Sequence, residues 1–167
     1  MLSEKIERQV EELHVKYGIK TVPVPIEKVA DQLGIVVKRA PSVDFSGLLL
    51  RKNGRAFIGI NNSESSVRQR FTVAHEFGHF FLHKTQEAFV DYRKEMMEGE
   101  TKSQKEREAD MFAAAFIMPR SHLISDIKKI TSTSILDTEI LSLAKKYNVS
   151  RGAMTYRLIN LGLILGK

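Results

Sequence analysis

The sequence predicts an α+β fold: a mainly helical domain around a small, mostly antiparallel sheet, followed by a C-terminal helix-turn-helix-like unit. Three observations carry this. Apolar residues recur at three- and four-residue spacing through most of the chain, short aliphatic runs flank a turn dipeptide, and the polar connector Thr131-Ser132-Thr133-Ser134 sets off a last pair of helices. At 167 residues, 43% hydrophobic and 28% charged, the chain can bury a core and has no low-complexity tract that argues for disorder. The expected organisation is a main domain over residues 1–130 with a helical extension over 131–167 packed on it.

In chain order, Ile6, Val10, Leu13 and Tyr17 line one side of a first helix that stops at Gly18, a residue that tolerates a left-handed helix end. After the extended Val22-Pro23-Val24-Pro25, the residues Ile26, Val29, Ala30 and Leu33 define a short second helix ending at Gly34. Ile35 to Lys38 is short and β-branched. Leu48-Leu49-Leu50 and Phe57-Ile58-Gly59-Ile60 flank Asn53-Gly54, which suits the positive dihedrals of a tight hairpin turn. Ser63 or Ser65 caps a long helix running to about His83, with Val67, Phe71, Ala74 and Phe81 toward the core. Lys84 to Lys102 is charged, weakly periodic and contains Gly99, so it reads as a loop or loosely held helix forming a rim or lid. A further helix from about Gln104 to Met118 ends at Pro119 and turns Ala109, Phe112, Ala113, Phe116 and Ile117 inward. Ser121 to Lys129 is another short helix. Leu141, Ala144 and Tyr147 mark the next, Asn148-Val149-Ser150 a turn with a capping serine, and Met154, Leu158 and Leu161 a last helix ending at Gly162.

With no cysteine, the chain has no disulfide framework, thiolate metal site or cysteine nucleophile, which leaves His, Asp and Glu for any metal chemistry. The N-terminus leads into an amphipathic pattern rather than a signal core, and no stretch approaches the ~20 apolar residues of a membrane span, so the expected location is cytoplasmic, away from membranes. The net charge of +6 is uneven: Ile140 to Lys167 holds five bases and no acid, whereas Lys84 to Asp110 holds eight acids against six bases.

The decisive segment is His75-Glu76-Phe77-Gly78-His79, inside a stretch of helical apolar spacing. Positions four apart on a helix sit one above the other, so both imidazoles can meet one ion while Glu76 reaches a water beside it. Imidazole and carboxylate suit zinc, and three protein ligands leave a position for a catalytic water whose proton a neighbouring carboxylate can take. Two such histidines can also be ordinary core or surface residues. The mid-helix position, the apolar flanks and the acid-bearing helix that follows favour the metal. The third ligand is open among His83, Glu106 and Glu108. A straight helix carries His83 a further ~6 Å along its axis from His79, too far to share the ion. The metzincin pattern fails because Leu82 and Thr85 stand where it needs Gly and His. Glu106 competes with itself, since Ser103-Gln104-Lys105-Glu106 also fits a capping box in which the glutamate folds back onto the helix start. Asp110, one turn beyond Glu106, is placed to accept a hydrogen bond from the non-metal nitrogen of a ligand histidine.

The two blocks Arg68-Gln69-Arg70-Phe71-Thr72-Val73-Ala74-His75-Glu76-Phe77-Gly78-His79-Phe80-Phe81-Leu82-His83 and Glu106-Arg107-Glu108-Ala109-Asp110-Met111-Phe112-Ala113-Ala114-Ala115-Phe116-Ile117-Met118-Pro119 resemble the signature blocks of the ImmA/IrrE family of metallo-endopeptidases. Weaker similarity covers Val22 to Gly34 and Ser46-Gly47-Leu48-Leu49. The resemblance implies a zincin-like, gluzincin-type site with one zinc ion, His75, His79 and Glu106 as ligands and Glu76 as general base. The family often has Asn where this chain has Asp110. It further implies a protein substrate, a helix-turn-helix repressor of a bacterial, phage or mobile-element circuit. The rival reading is a DNA-binding regulator with a structural or vestigial metal site, drawn from the basic helices between Leu143 and Leu158 with Arg151 and Arg157.

Overall fold

A computed structural model describes residues 1–92, 102–130 and 135–165. The chain order is α1 (Leu2–Lys16), α2 (Ile26–Gln32), β1 (Val36–Ala40), β2 (Phe45–Lys52), β3 (Arg55–Asn61), α3 (Ser66–Leu82), β4 (Ala88–Tyr92), α4 (Gln104–Ile117), α5 (Arg120–Ile127), α6 (Asp137–Tyr147) and α7 (Arg151–Asn160). The fold is α+β, as the sequence predicts. The polar connector expected over 131–134, and most of the rim or lid expected beyond Tyr92, lie outside the described residues.

Two compact units divide the chain, one formed by Pro25–Ala113 and the other by Met1–Val24 with Ala114–Lys167. In the first, four strands run in the order β1-β3-β2-β4. The β2–β3 hairpin turns at Asn53 and Gly54, whose φ of 52° and 72° are the positive values such a turn needs. Its register pairs Leu49 with Ile58. β1 joins β3 in parallel, with Val37 opposite Ile58, so the sheet is mixed rather than wholly antiparallel. Helix α2 precedes β1, and the chain between the parallel strands β1 and β3 is β2, which lies on the far side of β3 from β1. β4 pairs antiparallel with β2 as the edge strand, placing Phe89 opposite Leu49. The sequence reading has a loop or loose helix there. With Phe89 its one buried side chain, the segment takes its strand character from pairing with the main chain of β2.

Helix α3 packs against β2 and β3, and Leu49, Ile58 and Ile60 bury with Val73, Ala74 and Phe77. Its N-cap is Ser65, whose hydroxyl accepts from the Arg68 N–H at 3.3 Å. The continuous run Thr72–His79 is buried, while Val67, Phe71 and Phe81 are half-buried. A helix covered on several sides buries the middle of its length, polar residues included, and not a single stripe. Arg51 of β2 holds the other end of α3: its guanidinium donates to the carbonyls of Phe80 at 2.8 Å, His79 at 3.2 Å, His83 at 3.3 Å and Gln86 at 2.6 Å. Of these, the Phe80 carbonyl is one that the helix end leaves without an intrahelical partner, whereas the His79 carbonyl also accepts from the His83 N–H at 3.0 Å.

In the second unit α1, α5, α6, α7 and the end of α4 bury Ile6, Val10, Phe116, Met118, Leu123, Met154 and Leu158. Tyr147 donates its hydroxyl to Asp126 at 2.9 Å, and Lys146 reaches the same carboxylate at 2.6 Å. The inward face of α6 is Ile140, Leu143, Ala144 and Tyr147, with Leu141 43% exposed. Ile140 and Tyr147, seven residues apart, lie within about 20° of each other around the helix, whereas Leu141 and Tyr147, six apart, lie about 120° apart. Ser150 caps α7 by accepting from the Ala153 N–H at 3.1 Å. Arg157, one of the bases behind the DNA reading, is 5% exposed, forms a fork with the Glu7 carboxylate and donates to the Met118 carbonyl, so it is not on offer to a phosphate. Among the described residues no helix is long and apolar enough to cross a membrane.

Candidate metal centre

The i, i+4 spacing on α3 stacks His75 and His79 edge to face, with their Nε2 atoms 3.1 Å apart. α4 crosses α3 at Gly78, where an added Cβ would stand 2.8 Å from Ala109 Cα and 3.0 Å from its carbonyl oxygen. Only a glycine permits that approach, and it brings the first turn of α4 over the two imidazoles. Glu106 Oε2 lies 3.0 Å from His75 Nε2, and Oε1 lies 3.2 Å from His79 Nε2. The competition between capping and convergence is resolved by dividing the motif: Ser103 Oγ accepts from the Glu106 N–H at 3.2 Å, and the Glu106 side chain turns to the histidines.

Among the described residues, His75, His79 and Glu106 form the set of three or more metal-ligating groups whose ligand atoms all lie within 4.8 Å of one another. Four donors at tetrahedral corners ~2.0–2.1 Å from a zinc ion stand about 3.3 Å apart, close to the separations of 3.0 to 3.2 Å between these atoms. The donor chemistry, two imidazole nitrogens and a carboxylate, also fits zinc.

Behind this set, Asp110 Oδ1 accepts from His75 Nδ1 at 2.9 Å, while Lys102 holds the other Asp110 oxygen at 2.6 Å. The sequence reading places Asp110 in this role without naming which histidine. Two further groups bear on His79. Its Nδ1 is 3.0 Å from His83 Nδ1, and the Phe89 ring of β4 stacks on it at 3.9 Å. Phe89 and Arg51 escaped sequence reasoning; a single aromatic in a charged run and one arginine in a hairpin carry no local signal of a site. Glu108, weighed as a third ligand, instead pairs with His83 at 2.9 Å.

Glu76 is completely buried, and neither of its carboxylate oxygens has a hydrogen-bond partner among the described residues. Gly47 of β2 leaves room for it, since a Cβ there would meet Thr72 Cγ2 at 2.4 Å and Glu76 Oε1 at 3.0 Å. Burial pushes Glu76 up to about 8, opposed by His75 and reinforced by Asp91 and Glu106. Burial works against a charge on His75, but the hydrogen bonds to Asp110 and Glu106 outweigh it and push its pKa up to about 10. For Glu106, burial is outweighed by the two imidazoles, which hold it well below the usual carboxylate range. With Glu106 ionised, the pocket therefore favours a cation beside it, and a proton on His75 and a divalent metal ion are alternative ways to supply one.

A family model, Peptidase_M78, described as the IrrE N-terminal-like domain, matches residues 30–159. No curated protein matches the chain.

Proposed function

The chain belongs to the Peptidase_M78, IrrE N-terminal-like, family, and on that premise we propose that it is a zinc-dependent endopeptidase, with His75, His79 and Glu106 holding one zinc ion and Glu76 acting as general base. The observation that carries the reading is the convergence of two imidazole nitrogens and a carboxylate next to a buried carboxylate that has no hydrogen-bond partner among the described residues. When bound, zinc supplies a Lewis acid that polarises a substrate carbonyl and lowers the pKa of water toward ~7. Glu76 accepts a proton from the attacking water and returns one to the nitrogen of the scissile bond as the C–N bond breaks. Its burial suits that cycle, because a carboxylate pushed up to about 8 holds a proton more readily than one in water. Asp110 keeps the His75 ring oriented through Nδ1.

The proposed substrate is a protein, a helix-turn-helix repressor encoded beside the protease; this part of the proposal draws on the resemblance of the two signature blocks. The test incubates the purified zinc-loaded protein and its Glu76→Gln variant with that repressor and records intact masses. Two fragments with the wild type and an intact repressor with the variant are expected. No cleavage by the wild type, or equal cleavage by both, overturns the proposal.

A further inference from the structure

α3 ends at Leu82, and His83 leaves helical geometry with φ −117° and ψ 61°. The ring thereby turns back to the side of His79 remote from Glu106, where the two Nδ1 atoms lie 3.0 Å apart. The opposite nitrogen of His83 lies 2.9 Å from Glu108 Oε2. Glu108 is itself steadied by Gln104, whose amide donates to Oε1 at 2.8 Å. His83 is buried and the Glu108 side chain is 15% exposed, so water competes little for these bonds.

A neutral imidazole carries one N–H, and an ionised carboxylate can only accept. The proton between His83 and Glu108 therefore sits on His83 Nε2, which makes His83 Nδ1 an acceptor. The proton between the two rings then belongs to His79 Nδ1. His79 Nε2 is left as a lone pair that accepts, beside Glu106 Oε2, from the Nε2–H of His75. We propose that Glu108 and His83 form a two-bond relay that locks His79 in its metal-binding tautomer and orientation, making both of them positioning residues of the metal centre. α4 thus supports both histidines, His75 directly through Asp110 and His79 through His83.

The inference deepens the zinc reading and rests on it for its functional meaning, but its first readout needs no metal. Long-range proton–nitrogen correlation spectra of the metal-free protein at pH 8 report which nitrogen of each imidazole is protonated. The Nδ1–H form of His79 and the Nε2–H form of His83 are expected. His79 in the Nε2–H form overturns the relay without any variant. The second readout is the zinc dissociation constant from chelator competition. Glu108→Ala and His83→Leu should each weaken zinc binding by roughly 10–100-fold. His83→Asn, whose side-chain oxygen can still accept from His79 Nδ1, should recover much of that loss, which a merely structural role does not predict. Unchanged affinity in Glu108→Ala, or equal losses in His83→Asn and His83→Leu, overturns the relay. Failure of the wild type to bind zinc sinks the metal reading instead, and the spectra still decide the tautomers.

Discussion

A carboxylate sealed from solvent without a hydrogen bond works against folding, because the charged form loses its hydration and gains nothing in return. Among the described residues Glu76 is such a group. Glu76→Gln is therefore expected to leave the thermal midpoint level or higher and the zinc content unchanged, while kcat falls by roughly 10²–10⁴-fold; metal analysis, a melting curve and initial rates check the three parts together. A second residue predicts a pH dependence. Burial, opposed by a hydrogen bond to the Phe116 carbonyl, lowers His14 to about 4 from the ordinary 6.5. The unfolded chain then takes up a proton that the folded chain refuses, so stability is intact above pH 6.5 and is lost as the pH falls toward 4. That gap corresponds to at most about 3 kcal/mol. Urea titrations at pH 7 and pH 4.5 should show the loss in the wild type, with a smaller loss in His14→Leu; equal losses in the two proteins contradict it.

At the scale of elements, the site depends on how closely α4 can cross α3. Gly78→Ala forces main chain against main chain at Ala109, where no side chain can rotate away. We expect a cost of about 1–3 kcal/mol together with weaker zinc binding, as the helices separate and Glu106 withdraws. Gly152→Ala is the control: nothing lies within 4 Å of an added Cβ on α7, so this change should be neutral or stabilise by up to about 1 kcal/mol. Denaturant midpoints and chelator competition on the pair separate a crowded crossing from a general intolerance of alanine. Most helices were legible in the sequence, because their stops at Gly18, Gly34 and Pro119 and their caps at Ser65 and Ser150 act through neighbouring atoms. β4 was not. Its pairing partner is Phe45–Lys52, far away in sequence, and its own residues have no alternation strong enough to announce a strand.

For the whole molecule, the two ends of the chain meet within one unit, where Arg157 of α7 pairs with Glu7 of α1. Removing one partner of a buried pair leaves the other charge without compensation. Arg157→Met should cost about 3–5 kcal/mol, read as faster amide exchange in α1 and α7; exchange unchanged in both helices contradicts it. Helical period and turn dihedrals are local properties of the chain, and they suffice for the facing pair His75 and His79 and for the hairpin at Asn53-Gly54. Long-range packing settles that the Glu106 side chain turns from its own helix start to the histidines, that His83 turns back on His79 toward Glu108, that β1 enters the sheet in parallel and that Arg157 is buried. Each of these outcomes compares a local option with a partner many residues away, and that comparison is made only when packing brings the two together.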